Sequence, residues 1–470
     1  MTAGESSLAM KRSLIPLLLL LATLPSLGQS PAMRARVDGI VVALNAAPDD
    51  YEAFAADAYA AELRARSTAA QRKEFVRDLQ NELGKLEPTI VRHVAPHRVH
   101  ISVTGSKGTR GTIVVEHELD APHRITDLRF TPAAADDAAP PLPPVPVNGQ
   151  MSSGELSAAL DPYLTRLASE GGFAGTILVA RDGQPVFEKS YGMANRSYNV
   201  PNTPRTRFNI GSINKHFTRT ALAQLAAAGK LATTDTLAKH IPDYPNANAR
   251  TITLQQLLDM TAGLADFFGP EFAEASKDRF RRNRDYYRFV APKPLNFEPG
   301  SRREYCNSCY IVLGEIVERV SGMPYEQYVA ANVFRRAGME TAAFLSADEV
   351  APDVAIGYTR QDGTLRANLL MHGAAGSAAG GAYATARDLL ALDEGLRRAV
   401  LLDTKTTETF FKLGELVNGR ATKNAMYAGG STGVNAGVTG GGPWTVIAIA
   451  NMDPPAADAL ARTIHTQLAK

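Results

Sequence analysis

The sequence predicts an α/β protein. One antiparallel sheet, assembled from the two ends of a long C-terminal region, carries helices on both faces and a helical insertion, and a small α+β domain precedes it. Three observations predict this. Strand-like segments lie at both ends of Met151–Lys470, with helical patterns between them. From about Arg34 to residue 131, helical periodicity gives way to period-two alternation. Between these regions, residues 132–150 are rich in Ala and Pro, with Pro140, Pro141, Pro143, Pro144 and Pro146 close together. Such a stretch is a semi-rigid extended linker and marks a domain boundary.

In the first domain, Phe75, Val76, Leu79, Leu83 and Leu86 recur at helical spacing, and Thr68 with Gln71 reads as the capping box that opens the helix. A second helix is expected just before it, around Tyr51–Leu63. Val99, Ile101 and Val103, then Ile113 and Val115, then Leu128 and Phe130 alternate as strands, punctuated by Gly105, Gly108 and Gly111. Helices followed by antiparallel strands make a small α+β domain. In the second region, Gly175–Arg181 and Pro185–Tyr191 read as a hairpin turned at Asp182-Gly183. Trp444–Asn451 reads as a buried strand, with Trp444 a core residue, and Ala456–Leu468 as a closing helix.

With 470 residues and 45% apolar composition, the chain has enough material for several packed units. Its net charge of +2, without a long basic run, gives no reason to expect nucleic acid. Only two cysteines are present, Cys306 and Cys309, which excludes a disulfide framework and a four-cysteine zinc site. In a C-x-x-C pair without a thioredoxin-like βαβ pattern around it, they read as a structural disulfide or packed thiols. His93, His97, His100, His117 and His123 cluster in the first domain without a fixed ligand spacing, so no metal is assigned. Lys11 and Arg12 precede the apolar run Leu14–Leu24, with Ser26 and Gly28 at the minus-three and minus-one positions of a cleavage site. Residues 1–28 therefore read as an export signal, with Met10 as an alternative start. The expected location is periplasmic or secreted, with no membrane span left after signal removal.

Chemistry concentrates in three places. In Gly211-Ser212-Ile213-Asn214-Lys215, a strongly helical stretch begins at the serine and runs to Gly229. This sets Lys215 on the same face as Ser212. A desolvated lysine has a lowered pKa and can accept a serine proton, and a helix N-terminus favours the charge that develops on attack. Tyr305-Cys306-Asn307 opens another helix, ending at Ser321-Gly322; a phenol and an amide two residues apart can point into one cleft and relay a proton or hold a carbonyl. Tyr427-Ala428-Gly429-Gly430 is the third segment, and its glycines let backbone approach a substrate.

On these segments, Met151–Lys470 resembles the serine β-lactamases of class C and the related penicillin-binding DD-peptidases, esterases and D-aminopeptidases. Phe173-Ala174-Gly175, Met260-Thr261-Ala262-Gly263-Leu264 and Ser377-Ala378-Ala379-Gly380-Gly381 resemble the surroundings of that site. The first domain resembles the cystatin-like or nuclear-transport-factor-like domains that sometimes precede serine hydrolases. The resemblance implies a β-lactamase-like fold with catalytic Ser212, Lys215 and Tyr305. It also implies an oxyanion hole from the amides of Ser212 and Gly430, and substrate contacts from Asn307, Tyr427 and Gly429. It implies an acyl-enzyme on an ester, amide or lactam carbonyl and a small-molecule or cell-wall peptide substrate; no metal or organic cofactor is expected, since no metal-ligand cluster or dinucleotide fingerprint accompanies the motifs. Whether Lys215 or Tyr305 is the base stays open. The third segment departs from the family's Lys-Thr-Gly or His-x-Gly. Tyr427 brings a phenol and an aromatic wall instead of a cation, so neutral esters or amides are expected over penicillins. Arg302 and Lys423 are the nearby cations that could replace it.

Two other readings remain. Gly429-Gly430-Ser431-Thr432-Gly433 matches a nucleophile-elbow pattern, with Asp453 and His465 following, but its context lacks the strand before and helix after that an elbow needs. The altered third segment also suits a catalytically weak relative that binds cell-wall peptides or fragments.

Overall fold

The computed structural model describes residues 39–470, apart from 96–97, 108–109, 119–122, 133–141, 143, 269, 362–363, 415, 418–419 and 422–424. Residues 1–28, expected from the sequence to be an export signal, and Lys423 lie outside the described residues, as do the side chains of His93, His97 and His100. Among the described residues, no helix is long and apolar enough to cross a membrane.

The chain divides into two compact units between residues 136 and 137. The first holds helix α1 (39–45), α2 (Pro48–Ala58), α3 (Ala61–Ala65), α4 (Ala69–Leu83) and strands β1 (Leu86–Ala95), β2 (Arg98–Gly105), β3 (Arg110–His117) and β4 (Ile125–Pro132). The strands form an antiparallel meander in the order β1-β2-β3-β4. Thr68 and Gln71 make the expected capping box on α4. Val99, Ile101, Ile113 and Val115 turn one face of the sheet to Val76, Leu79 and Leu83 of α4. The single helix expected over Tyr51–Leu63 is two helices. Between them Tyr59 leaves helical geometry to bridge Ile125, and its hydroxyl meets that of Tyr51 at 2.5 Å.

The second unit is built on a five-stranded antiparallel sheet. Its strands are β5 (Gly175–Arg181), β6 (Gln184–Tyr191), β7 (Ala425–Ser431), β8 (Val434–Gly441) and β9 (Trp444–Ala450), in the order β7-β8-β9-β5-β6. The β5–β6 hairpin turns through Asp182 and Gly183, both at positive φ. The two faces of the sheet bury different clusters. Ile177, Val179, Val446 and Ala448 pack with α5 (Ser153–Ser169) and the closing helix Asp458–Leu468. Leu178, Ala180, Ile447 and Ile449 face the helical insertion on the other side. This explains why β9 reads as a continuous apolar run: both of its faces are covered, and all seven residues are buried.

The Ala/Pro stretch needs one correction. Val145 and Val147 are 5% and 6% exposed and belong to the cluster of Leu156, Leu160 and Trp444. In an extended chain residues two apart share a side, so these valines face the unit while their neighbours face out. The end of the expected linker 132–150 is therefore part of the second unit.

Candidate active site

In the helical insertion, α6 (Asn214–Ala227) follows a single tight turn, Gly211–Ile213, that presents Ser212. Gly211 sits at φ +52°, in the left-handed region that favours glycine. Strand β7 lies directly on this turn. A Cβ on Gly429 would stand 2.0 Å from the Ile210 carbonyl oxygen, and one on Gly211 would stand 2.9 Å from the Gly430 nitrogen. The segment after Ser377 closes another side. The amide of Asn214, at the start of α6, donates to the Ser377 carbonyl at 3.0 Å and accepts from the Ala382 nitrogen at 3.1 Å.

Lys215 is 6% exposed. Its Nζ lies 3.0 Å from Ser212 Oγ, 2.7 Å from Asn307 Oδ1 and 2.7 Å from the Ala379 carbonyl oxygen. Burial pushes its pKa down to about 7, against the pull of the nearby Asp266 carboxylate. These contacts suit a neutral amine. Its two N–H bonds are taken by two acceptor-only oxygens, which leaves its lone pair for the Ser212 hydroxyl.

Tyr305 donates from Oη to Ser212 Oγ at 2.8 Å, and its ring lies 4.9 Å from Lys215 Nζ. Although 53% of Tyr305 is exposed, the protein around it raises its pKa above the ordinary tyrosine value; the Ser212 hydrogen bond acts against this. Asn307 begins α8, which follows α7 (Asn283–Val290) and spans Asn307–Ser321, ending at Gly322 in the left-handed conformation. Cys306 and Cys309 are disulfide-bonded and buried in its first turn. The pair is thus structural, pinning the backbone between Tyr305 and Asn307.

The structure brings Ser212, Lys215, Tyr305 and Asn307 together, with Gly430 beside them on the cleft wall. It does not bring Tyr427 there. Along β7, Tyr427 and Gly429 are buried while Ala428 and Gly430 are exposed, as strand alternation requires. Tyr427 is 3% exposed and packs on His216, with ring centroids 4.1 Å apart. It is a core residue, not a substrate contact. Gly429 serves the close packing of β7 on the Ser212 turn and does not line the cleft either. Arg302 lies over Phe297 and pairs with Glu304.

The elbow reading also fails in space. Ser431 sits at the end of a strand, Asp453 accepts from the Gly433 nitrogen and the Thr359 hydroxyl, and His465 faces the Gly441 carbonyl.

Sequence reasoning missed Asp266. Its carboxylate accepts from the Asn307 backbone nitrogen at 2.9 Å and from Asn307 Nδ2 at 3.1 Å. That fixes which end of the amide faces Lys215. The only signal was its place two residues beyond the noted Met260–Leu264 turn. Also missed was an aromatic wall of Phe267, Phe268, Phe272 and Tyr286 along the cleft.

A family model described as Beta-lactamase matches residues 160–467, and the chain belongs to that family, a group of hydrolases sharing this fold. The chain is 32% identical over 265 residues to "Putative penicillin-binding protein PbpX" of Bacillus subtilis (strain 168), covering 56% of this chain and 64% of that protein. It is 31% identical over 192 residues to "Protein flp" of Staphylococcus aureus (strain MW2), covering 40% of this chain and 38% of that one. The match thus spans less than two thirds of either relative. Among solved structures, the penicillin binding protein from Bacillus halodurans aligns with a TM-score of 0.57 at 30% identity, over 64% of this chain and 98% of that one. EstCE1, described as a hydrolase with promiscuous acyltransferase activity, aligns with a TM-score of 0.52 at 20% identity, over 64% and 95%, and shares the fold.

Proposed function

We propose that this protein is an exported serine hydrolase that forms an acyl-enzyme on neutral ester or amide carbonyls. The observation that carries this reading is the hydrogen-bond set of Lys215. Two oxygens hold its N–H groups, and its remaining valence faces the Ser212 hydroxyl. A pKa of about 7 makes the amine a base poised near neutral pH. The raised pKa of Tyr305 keeps its phenol protonated there, which suits it to pass a proton to the leaving group.

In the first step the Ser212 Oγ–carbon bond forms and the hydroxyl proton moves to Lys215. The amides of Ser212 and Gly430, beside each other where β7 meets the turn, stabilise the oxyanion. The leaving group takes a proton from Tyr305 as its bond to the carbonyl breaks, and Lys215 passes on to Tyr305 the proton it took from Ser212. Water then attacks the acyl-enzyme and gives a proton to Lys215, which returns it to the Ser212 oxygen as the acid is released.

The preference for neutral substrates rests on the cleft lining. Apart from Lys215 at the reacting centre, its described lining carries no Asp, Glu, Lys or Arg, and burial holds His372 below its ordinary pKa. A substrate carboxylate would lose water without gaining a cationic partner.

The test is a fluorophosphonate label mapped to a residue, with turnover of a simple activated ester. Label on Ser212, loss of turnover in Ser212→Ala and its retention in Ser431→Ala are expected. No label and no turnover would instead favour the weakly catalytic binder of cell-wall fragments.

A further inference from the structure

Downstream of Asp266 the chain places four aromatic rings along one side of the cleft. Phe267, Phe268 and Phe272 pack closely, with the centroid of Phe267 4.1 Å from that of Phe268 and, edge to face, 5.0 Å from that of Phe272. Tyr286 closes the row at 5.5 Å from Phe267. Its hydroxyl donates to the Ala375 carbonyl at 2.7 Å, so its polar tip is already engaged. Phe272 is braced from behind by Phe280, at 4.9 Å. Lys277, a cation near this wall, is bound by the carbonyls of Phe272, Ala273 and Ala275.

The wall is tied to the reacting centre. The Phe268 nitrogen donates to Asp266 Oδ1 at 3.0 Å, and the same carboxylate holds Asn307 beside Lys215. At the cleft edge, Phe268 and Leu369 are 49% and 50% exposed, and Leu370 next to Leu369 is 85% exposed. Large apolar side chains left in water at the mouth of a cleft mark a surface that a ligand covers.

We propose that this wall is the acyl subsite, and that the substrate class is neutral esters or amides of extended alkyl or arylalkyl carboxylic acids. The inference rests on the serine-hydrolase reading above. The acyl side is assigned because Tyr305, the proton carrier for the leaving group, stands at the exposed edge of the site. The leaving group departs there. The acyl group must stay in place until water arrives, and a braced apolar wall holds it.

The experiment measures kcat/KM for 4-nitrophenyl esters from acetate through octanoate on the full chain. A parallel series uses acetates of lengthening alcohols. Burial of each added methylene is worth about fourfold in kcat/KM. The acyl series should rise by about this step until the wall is filled, while the alcohol series stays flat. Phe268→Ala should lower the octanoate-to-acetate ratio about tenfold, and Leu369→Ser should lower it in the same direction. Both side chains are half in solvent, so neither change threatens folding. Phe268→Lys should turn preference toward a hemisuccinate ester.

Acetate turnover with a flat acyl series, or an unchanged ratio in both truncations, overturns the subsite and leaves the serine-hydrolase reading standing. A rise in the alcohol series alone would move the wall to the leaving-group side and overturn the assignment. No turnover of any ester, with Ser212 unlabelled, overturns both.

Discussion

Replacing Asp266 by asparagine removes one negative charge from the far side of the amide that holds Lys215. The carboxylate bonds Asn307 Nδ2 at 3.1 Å, and the other end of that amide accepts from Lys215 at 2.7 Å. Charges at opposite ends of one amide stand roughly 7 Å apart. With an effective dielectric of about 20, Coulomb's law gives roughly 2 kcal/mol, equal to about 1.5 pH units on the amine. The sign is fixed. The carboxylate favours the ammonium form and holds the pKa up, while burial pushes it down to about 7. Without Asp266 the pKa falls further. Because the neutral amine is the reactive form, the acidic limb of kcat/KM against pH should move to lower pH by about one to one and a half units. The asparagine also sets an amide N–H against Asn307, which loosens the site and should lower the plateau about tenfold. The assay is hydrolysis of a neutral ester across about pH 5 to 9, with parent and Asp266→Asn side by side. An acidic limb that stays in place or moves upward would refute the electrostatic argument, whatever the plateau does.

Gly429→Ala should lose most activity and about 1–3 kcal/mol of stability, since its Cβ would meet the Ile210 carbonyl at 2.0 Å; thermal unfolding with turnover checks this, and normal values for both would refute the packing of β7 on the Ser212 turn. A fragment starting at residue 137 should turn over neutral esters. One starting at Met151 should melt lower, because burying Val145 and Val147 contributes roughly 1.5–3 kcal/mol each; coincident melts would contradict their place in the core. The parent should prefer a neutral ester to a penicillin by kcat/KM. Ala428→Lys, on the same face of β7 as Gly430, should narrow that gap about tenfold through a charge-assisted bond. Tyr427→Lys should instead destabilise the fold by burying an unpaired ammonium, without narrowing the gap.

Periodicity was enough to find β5, β6, β9 and the closing helix, because burial on one face or both leaves a direct mark on residue order, whereas the glycine-rich β7 and β8 carry no such mark. The capping pair Thr68 and Gln71 was readable for a similar reason: the interaction is local. Ser212, Lys215, Tyr305 and Asn307 were legible because each sits at or near a helix start, where position along the chain fixes direction. Tyr427 was misread because the motif names a position, while its side is set by strand register against β8, which a linear pattern does not carry. Asp266 was missed because its meaning depends on Asn307, forty-one residues away and brought near only by folding. The aromatic wall was missed in the same way: Tyr286, on α7, joins Phe267 and Phe268 of a loop and Phe272 of a short helix.

The strand order β7-β8-β9-β5-β6 has a consequence for how the molecule comes into being. The first hairpin of the sheet is made long before its partner β9, which lies far further along the chain. The backbone that presses on the Ser212 turn comes from β7, likewise made long after Ser212. Pairings between distant parts of a chain form late, after the entropy of a long loop has been overcome. A growing chain would therefore carry Ser212 and Lys215 without the strand that completes their surroundings until β7 has been made. Acylating power should arrive in one late, cooperative event, so that a copy still lacking β7 is chemically silent.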